Sequence, residues 1–120
     1  MITNQIIQNT IDDLNSITNI DFAVYDVESG LVATTNGSKE IDAQAIDSFV
    51  ESAVDSQTIG DFHFFKVNDE GEVVYIVVAS GSKDLAYTMG KVAVCQLQAL
   101  IVAYKERIDR NRIWKWLKMH

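Results

Sequence analysis

Five residues in the middle of the chain have side chains that could bind a small molecule together. Ser56, Gln57 and His63 supply hydrogen-bonding groups, Phe65 supplies an aromatic wall, and Lys66 supplies a positive charge. Small-molecule sites typically combine apolar and aromatic walls with a few converging polar groups. We therefore predict a ligand site between a sheet and the loop that follows the second helix. The alternative is structural: the aromatic residues fill the core and His63 is solvated or hydrogen-bonded.

The residue types that carry catalysis do not occur in a suitable pattern. The histidines are His63 and His120, and no paired Cys and His spacing supplies the three or four ligands of a metal site. Cys95 lies among aliphatic residues, with no base predicted near it. Neither Gly-x-Gly-x-x-Gly nor a Walker pattern is present. The sequence predicts a protein that is not an enzyme and holds no metal or cofactor.

The last third of the chain predicts one long helix that needs a partner. It contains no proline, and between Val92 and Tyr104 the only polar side chains are Gln96 and Gln98. A helix that is apolar all round must be covered all round, whereas one sheet covers one side. The first helix, a second copy of the chain, or both must cover the rest. We predict a homodimer through Val94, Ile101 and Val102, opposite a sheet-facing set of Val92, Leu97 and Leu100.

The periodicity of the earlier residues predicts alternating helices and hairpins. Apolar residues at i, i+4 and i+8 in residues 6–17 indicate a helix capped by Thr3 or Asn4, and a second helix begins at Asp42. Alternation predicts a strand at residues 20–26, and short runs bounded by turn residues predict strands at 31–35, 62–67 and 73–80, with a polar loop at 55–58. The fold class expected is α+β, an antiparallel sheet of the PAS, GAF or profilin-like kind with flanking helices and a long C-terminal helix.

Charge is distributed unevenly along the chain. Up to Gly81 there are 14 acidic residues against Lys39 and Lys66, and from Ser82 onward eight basic residues against three acidic ones. An acidic body repels nucleic acid and anionic membranes, so we expect neither as a partner of this chain. No apolar run approaches the roughly 20 residues of a membrane span. Cys95 has no partner for an intrachain disulfide, which favours a cytoplasmic location.

No linker or repeat interrupts the chain before Lys105. We predict a ligand-sensing and dimerisation domain over residues 1–104. Residues 105–120 are then the continuation of the C-terminal helix toward a missing output domain. Glu106 and Arg110 stand at the i, i+4 spacing of a solvated helix, which fits this extension.

Several strings resemble a known family. They are the stretch from Met89 to Asn111, with Glu51-Ser-Ala-Val-Asp-Ser-Gln57, Phe64-Phe-Lys-Val67 and Asn4-Gln-Ile-Ile-Gln-Asn-Thr10. Together they resemble the N-terminal sensor domain of sugar-diacid-type (CdaR-like, PucR-related) bacterial transcription regulators. The resemblance implies a small-molecule-sensing, dimeric domain, and the family name suggests a sugar diacid as ligand. It also implies a DNA-binding helix-turn-helix elsewhere, which these residues do not contain.

The order of elements also resembles a second class of protein. Helix, hairpin, helix, hairpin and helix is similar to the order in roadblock-type adaptor modules, which dimerise and scaffold without a ligand. A buried, ligand-sized cavity would favour the sensor. A sheet that pairs edge to edge across a dimer, without a cavity, would favour the adaptor.

Overall fold

The computed structural model describes residues 2–35 and 41–119, with side chains described except at residues 83 and 108–119. Within these residues the fold is α+β, as predicted: an antiparallel sheet of five strands with three helices, of which the C-terminal one is long. The elements are α1 (Asn4–Thr18), β1 (Asp21–Asp26), β2 (Gly30–Thr34), α2 (Ala43–Glu51), β3 (Ser56–Ile59), β4 (Phe62–Asp69), β5 (Glu72–Ser80) and α3 (Lys83–Met119).

Helices cover both faces of the sheet. The strand order is β2-β1-β5-β4-β3, with β5 at the centre. Because successive side chains of a strand point to opposite faces, β5 supplies two cores. Tyr75 and Val77 pack with α1 and α3 on one face. Ile76 and Val78 pack with α2 on the other.

Short polar side chains begin the first two helices. The Thr3 side chain accepts a hydrogen bond from the Ile6 amide at the start of α1, as the sequence predicts. The Asp42 side chain accepts one from the Gln44 amide at the start of α2. Each bond satisfies one of the amides that the first turn of a helix leaves unpaired.

Most of the polar stretch at residues 55–58 lies in strand β3, which begins at Ser56, so the prediction of a loop there is wrong. In β3, Ser56 pairs with Phe65 and Ile59 pairs with Phe62 of β4, and Gly60 makes the connecting turn at φ +58°. Polar side chains suit an edge strand, which has a neighbour on one side only and remains partly solvated. The sheet therefore has one strand more than the sequence pattern indicates.

The predicted orientation of α3 is only partly correct. Leu97 faces the sheet, as expected. Ile101 was predicted to face outward, but it is 5% exposed and belongs to the core. Val92 and Leu100, predicted to face the sheet, are half-buried at its flank. Between residues 84 and 107, the buried residues of α3 are Ala86, Gly90, Ala93, Leu97 and Ile101.

α3 extends well beyond the compact body, which gives the molecule a length of 58 Å against widths of 32 and 21 Å. Lys105 anchors the helix near the point of departure, with its Nζ 2.7 Å from Asp69 Oδ1 and 3.4 Å from Glu70 Oε1 in the β4–β5 turn. The pKa of Lys105 is raised, mainly by the hydrogen bond to Asp69. About two turns earlier, the side-chain oxygen of Gln98 accepts a hydrogen bond from the amide of Asn68.

By length and composition alone, one helix among the described residues could cross a membrane. It is the part of α3 from Asp84 to Arg107. Within the most apolar stretch of this part, 28% is buried. Core helices of soluble proteins meet the same two criteria. What distinguishes this one is the large share that the chain itself leaves uncovered.

Candidate functional site

The sheet separates the five residues predicted to bind a ligand. Residues paired across adjacent strands share a face, and the face alternates along each strand. Ser56 pairs with Phe65, and these two lie with His63 on the face of α1 and α3. Gln57 pairs with Phe64 and lies on the face of α2, as does the Lys66 ammonium. A single enclosed site cannot include all five side chains.

Lys66 holds α2 against the sheet. Its side chain is buried, and its Nζ donates a hydrogen bond to the carbonyl oxygen of Ser52, the residue that ends α2. The ammonium also lies 5.1 Å from the centroid of the Phe49 ring. A cation at a helix C-terminus interacts favourably with the unpaired carbonyls and the helix dipole there. The charge of Lys66 is therefore engaged inside the fold.

His63 fits the structural alternative. It is buried, and its Nδ1 lies 2.9 Å from the Thr58 hydroxyl of the neighbouring strand. Its ring packs edge-on against Tyr87, with the centroids 5.8 Å apart. Gln57, by contrast, is exposed at the edge of the sheet. Neither His63 nor Gln57 lines the open depression described next, which the other three predicted residues share.

Three of the predicted residues line one open depression between β3 and α3, with a volume of about 250 Å³. They are Ser56, Phe65 and Lys66, although the Lys66 ammonium lies on the opposite face of the sheet, against α2. Four further residues complete the lining, and the ligand prediction did not include them. It missed them because α3 crosses the sheet at this point and no local sequence signal shows where it crosses. These four are Asp55, Lys91, Val94 and Cys95.

Two polar residues of this depression, Ser56 and Lys91, also interact with the nearby Tyr87. Hydrogen bonds from Lys91 and Ser56, together with the charge of Lys91, lower the pKa of Tyr87. The Lys91 Nζ lies 4.9 Å from the centroid of the Tyr87 ring. Asp55 adds an opposite charge at the same depression. These groups could bind a small polar molecule, but they include no paired nucleophile and base.

The second feature with functional potential is an apolar stripe on the outward side of α3. We define the α3 stripe as Val92, Cys95, Ala99 and Val102, residues spaced three or four apart and so aligned along one side of the helix. Val92 is half-buried, whereas Cys95 and Ala99 are exposed and Val102 is 53% exposed. No described residue of the chain covers the outer part of this side.

The residues predicted to form a dimer interface have different environments. Val102 lies on the surface, within the α3 stripe. Val94 is half-buried, packs against the core and lines the depression beside β3. Ile101 is in the core and is not available to a second copy. Cys95 and Ala99, which the prediction omitted, lie beside Val102 instead.

The described residues contain no group of three His, Cys, Asp or Glu side chains arranged to hold a metal ion. His120 lies outside the described residues. Comparison with known protein families, curated proteins and solved structures finds no match to this chain.

Proposed function

We propose that the protein is a non-catalytic adaptor module that joins two copies of itself through α3. The α3 stripe is the observation that carries this proposal. Soluble monomers rarely leave a large contiguous apolar patch exposed, and a two-fold dimer is the commonest way to cover one. The outward residues Cys95, Ala99 and Val102 carry no charge, so a second copy can pack against them without burying an unpaired ion.

The packing of the sheet supports an adaptor better than a sensor. Both faces of the sheet are filled by side chains from the helices, with Phe65 under α3 and Phe64 under α2. Three depressions of the described residues, including the one between β3 and α3, are open to solvent. Lys66, the cation expected to attract an anionic ligand, bonds to α2 instead. The roadblock-like alternative is consistent with these features.

A sensor domain of a bacterial transcription regulator is the second candidate. The depression of about 250 Å³ favours it, because Ser56 and Lys91 supply polar groups beside the apolar walls of Phe65 and Val94. The resemblance to CdaR-like sensor domains remains a prediction. For either function we propose a cytoplasmic location, supported by the single cysteine of the chain.

Native mass spectrometry of the freshly purified protein tests both candidates, because it reports oligomeric state and retained ligand together. We expect a dimer of roughly 27 kDa, twice the 13.4 kDa of one chain, without a bound small molecule. Val102→Asp should give a folded monomer, since a charge placed in a desolvated interface costs several kcal/mol. Ile59→Asp is the matched control, because Ile59 is also exposed, at 45%, but lies at the edge of the sheet.

Each other outcome has a distinct consequence, and pairing through the sheet edge would keep the adaptor function while removing the α3 interface. A wild-type protein found only at the mass of one chain overturns the proposal. A dimer that Ile59→Asp dissociates and Val102→Asp leaves intact indicates pairing through the β3 edge. A small molecule that the wild type retains and Lys91→Ala loses supports the sensor, with its site in the depression beside β3.

A further inference from the structure

We propose that the two α3 helices of the dimer pack antiparallel, so that the basic end of each helix lies along the acidic body of the other copy. This inference rests on the proposed function and specifies the partner as a second copy in a defined orientation. It follows from three features: the separation of charge along the chain, the position of acidic side chains beside the start of α3, and the symmetry of the α3 stripe.

The body and the last helix carry opposite net charge. Residues 1–81 hold 14 acidic and two basic residues, whereas residues 82–120 hold three acidic and eight basic ones. Parallel helices would bring the two basic ends together, where like charges repel. An antiparallel pair places each basic end near the other copy's acidic residues, which gives complementary rather than repulsive contacts.

Acidic side chains lie exposed where the basic end of a second copy would arrive. Asp84 is exposed in the first turn of α3. α1 runs beside α3 in the opposite direction. Ile6, near the start of α1, lies close to Tyr104, far along α3. The end of α1 leads to Ile20, which lies against Gly81, just before α3 begins. The later half of α1, with exposed acidic residues at 12 and 13, therefore points toward the first turns of α3.

The basic residues of the far end lie on the same continuous helix. Arg107 is exposed, and the helical backbone continues to Met119. Over this stretch the sequence supplies four further basic residues, at positions 110, 112, 115 and 118, against one acidic residue at 109. The sequence thus places most of the positive charge of α3 at or beyond position 105.

The α3 stripe defines the register of such a pair. Its apolar part runs from Val92 to Val102, so the overlap of two copies is greatest when their midpoints coincide. Val92 then faces Val102 of the second copy, and Cys95 faces Ala99. The small side chains at the centre allow the helices to approach to the roughly 8–10 Å typical of packed helices. The same register brings position 84 of one copy to position 110 of the other.

Disulfide cross-linking distinguishes the two orientations. In a Cys95→Ser background we would prepare Val92→Cys and Val102→Cys proteins, one carrying an affinity tag so that mixed products separate by mass. A disulfide forms only when the Cα atoms approach to about 4.4–6.8 Å. We expect the mixture to cross-link severalfold faster than either protein alone. Cross-linking of Val92→Cys with itself, faster than in the mixture, would establish a parallel pair and overturn the inference.

Charge reversal tests the electrostatic part independently. Asp84→Lys and Arg110→Glu should each weaken the dimer severalfold, and the two changes in one chain should restore most of the loss, because each copy supplies both sides of the contact. Raising the salt concentration from about 50 to about 500 mM should weaken the wild-type dimer, because salt screens the attraction between charges. The dimer of the double variant should weaken to a similar degree. Additive losses without restoration would overturn this contact.

The failure of this inference differs from the failure of the proposed function. A wild-type protein that stays monomeric in sedimentation equilibrium at micromolar concentration removes the dimer itself, and the adaptor function with it. A stable dimer that forms the parallel cross-links, or that is indifferent to both charge reversals, retains the adaptor function and removes only the antiparallel arrangement.

Discussion

Gly90 determines how closely α3 approaches the sheet. A Cβ atom at this position would lie 2.2 Å from Cε2 of Phe65 and within 3 Å of two further atoms of the same ring. Phe65 is buried in β4 and has little room to move, because Tyr87 packs 5.6 Å away, centroid to centroid. The absence of a side chain at Gly90 therefore permits the contact that orients the whole helix.

Gly90→Ala should destabilise the protein. Alanine favours a helix over glycine by about 1 kcal/mol, but overpacking a filled core typically costs about 1–3 kcal/mol, and a contact of 2.2 Å lies at the severe end. We expect a net loss in the free energy of unfolding, measured by urea denaturation and circular dichroism. Phe65→Leu is the control. As a single substitution it should lower the free energy of unfolding, but in the double variant it should reduce the loss that Gly90→Ala causes. A Gly90→Ala protein as stable as the wild type would contradict the close contact.

Among the elements, β3 decides between the candidate interfaces. The amide of Lys66 donates to the carbonyl of Asp55 at 3.0 Å, which sets the hydrogen-bond alternation of this strand pair. In an antiparallel pair, alternate residues bond to the neighbour and those between them point away. Gln57 and Ile59 therefore bond to β4, whereas the amides of Ser56 and Thr58 point toward the free edge.

Amide hydrogen exchange should follow this alternation. We expect slow exchange at Gln57 and Ile59 and fast exchange at Ser56 and Thr58, measured by NMR at a concentration where the protein is dimeric. Uniformly fast exchange would show that residues 56–59 do not form a stable strand. Slow exchange at all four residues would indicate that another strand covers the edge, and would favour edge pairing over α3 as the interface.

At the scale of the whole molecule, folding and association should be coupled. Where α3 packs on the body, its outward side carries the α3 stripe, whose outer residues no described part of the chain covers. Anything that binds the native state and not the unfolded chain raises its apparent stability. A second copy bound through the α3 stripe acts in this way, so the stability of the protein should depend on its own concentration.

The melting temperature is the measurement that checks this coupling. A hundredfold increase in protein concentration should raise the Tm of the wild type by several degrees, whereas the Tm of Val102→Asp should be constant. Ile59→Asp should behave as the wild type does, because its substitution is at the sheet edge. A wild-type Tm that does not change with concentration would mean that α3 is stable without a partner.

Local features of the sequence determined most of the elements. Thr3 and Asp42 mark the starts of two helices because a short polar side chain there satisfies free amides of the first turn. Alternating apolar residues mark β1, since a strand with one buried face repeats every two residues, and short apolar runs between turn residues mark three more strands. These signals depend on neighbours along the chain, and the α+β class follows from their order.

Only the tertiary structure decided which residues meet. Residues 56–59 have no alternating pattern, and they form a strand because β4 offers a partner. β4 is buried on both faces, so its sequence does not show that His63 and Lys66 point in opposite directions. α3 is apolar all round and carries no periodicity to orient it, so the fit of Gly90 against Phe65 decides its rotation. That fit places Ile101 in the core and leaves Val102 outside, because packing is a contact between distant segments that local periodicity does not encode.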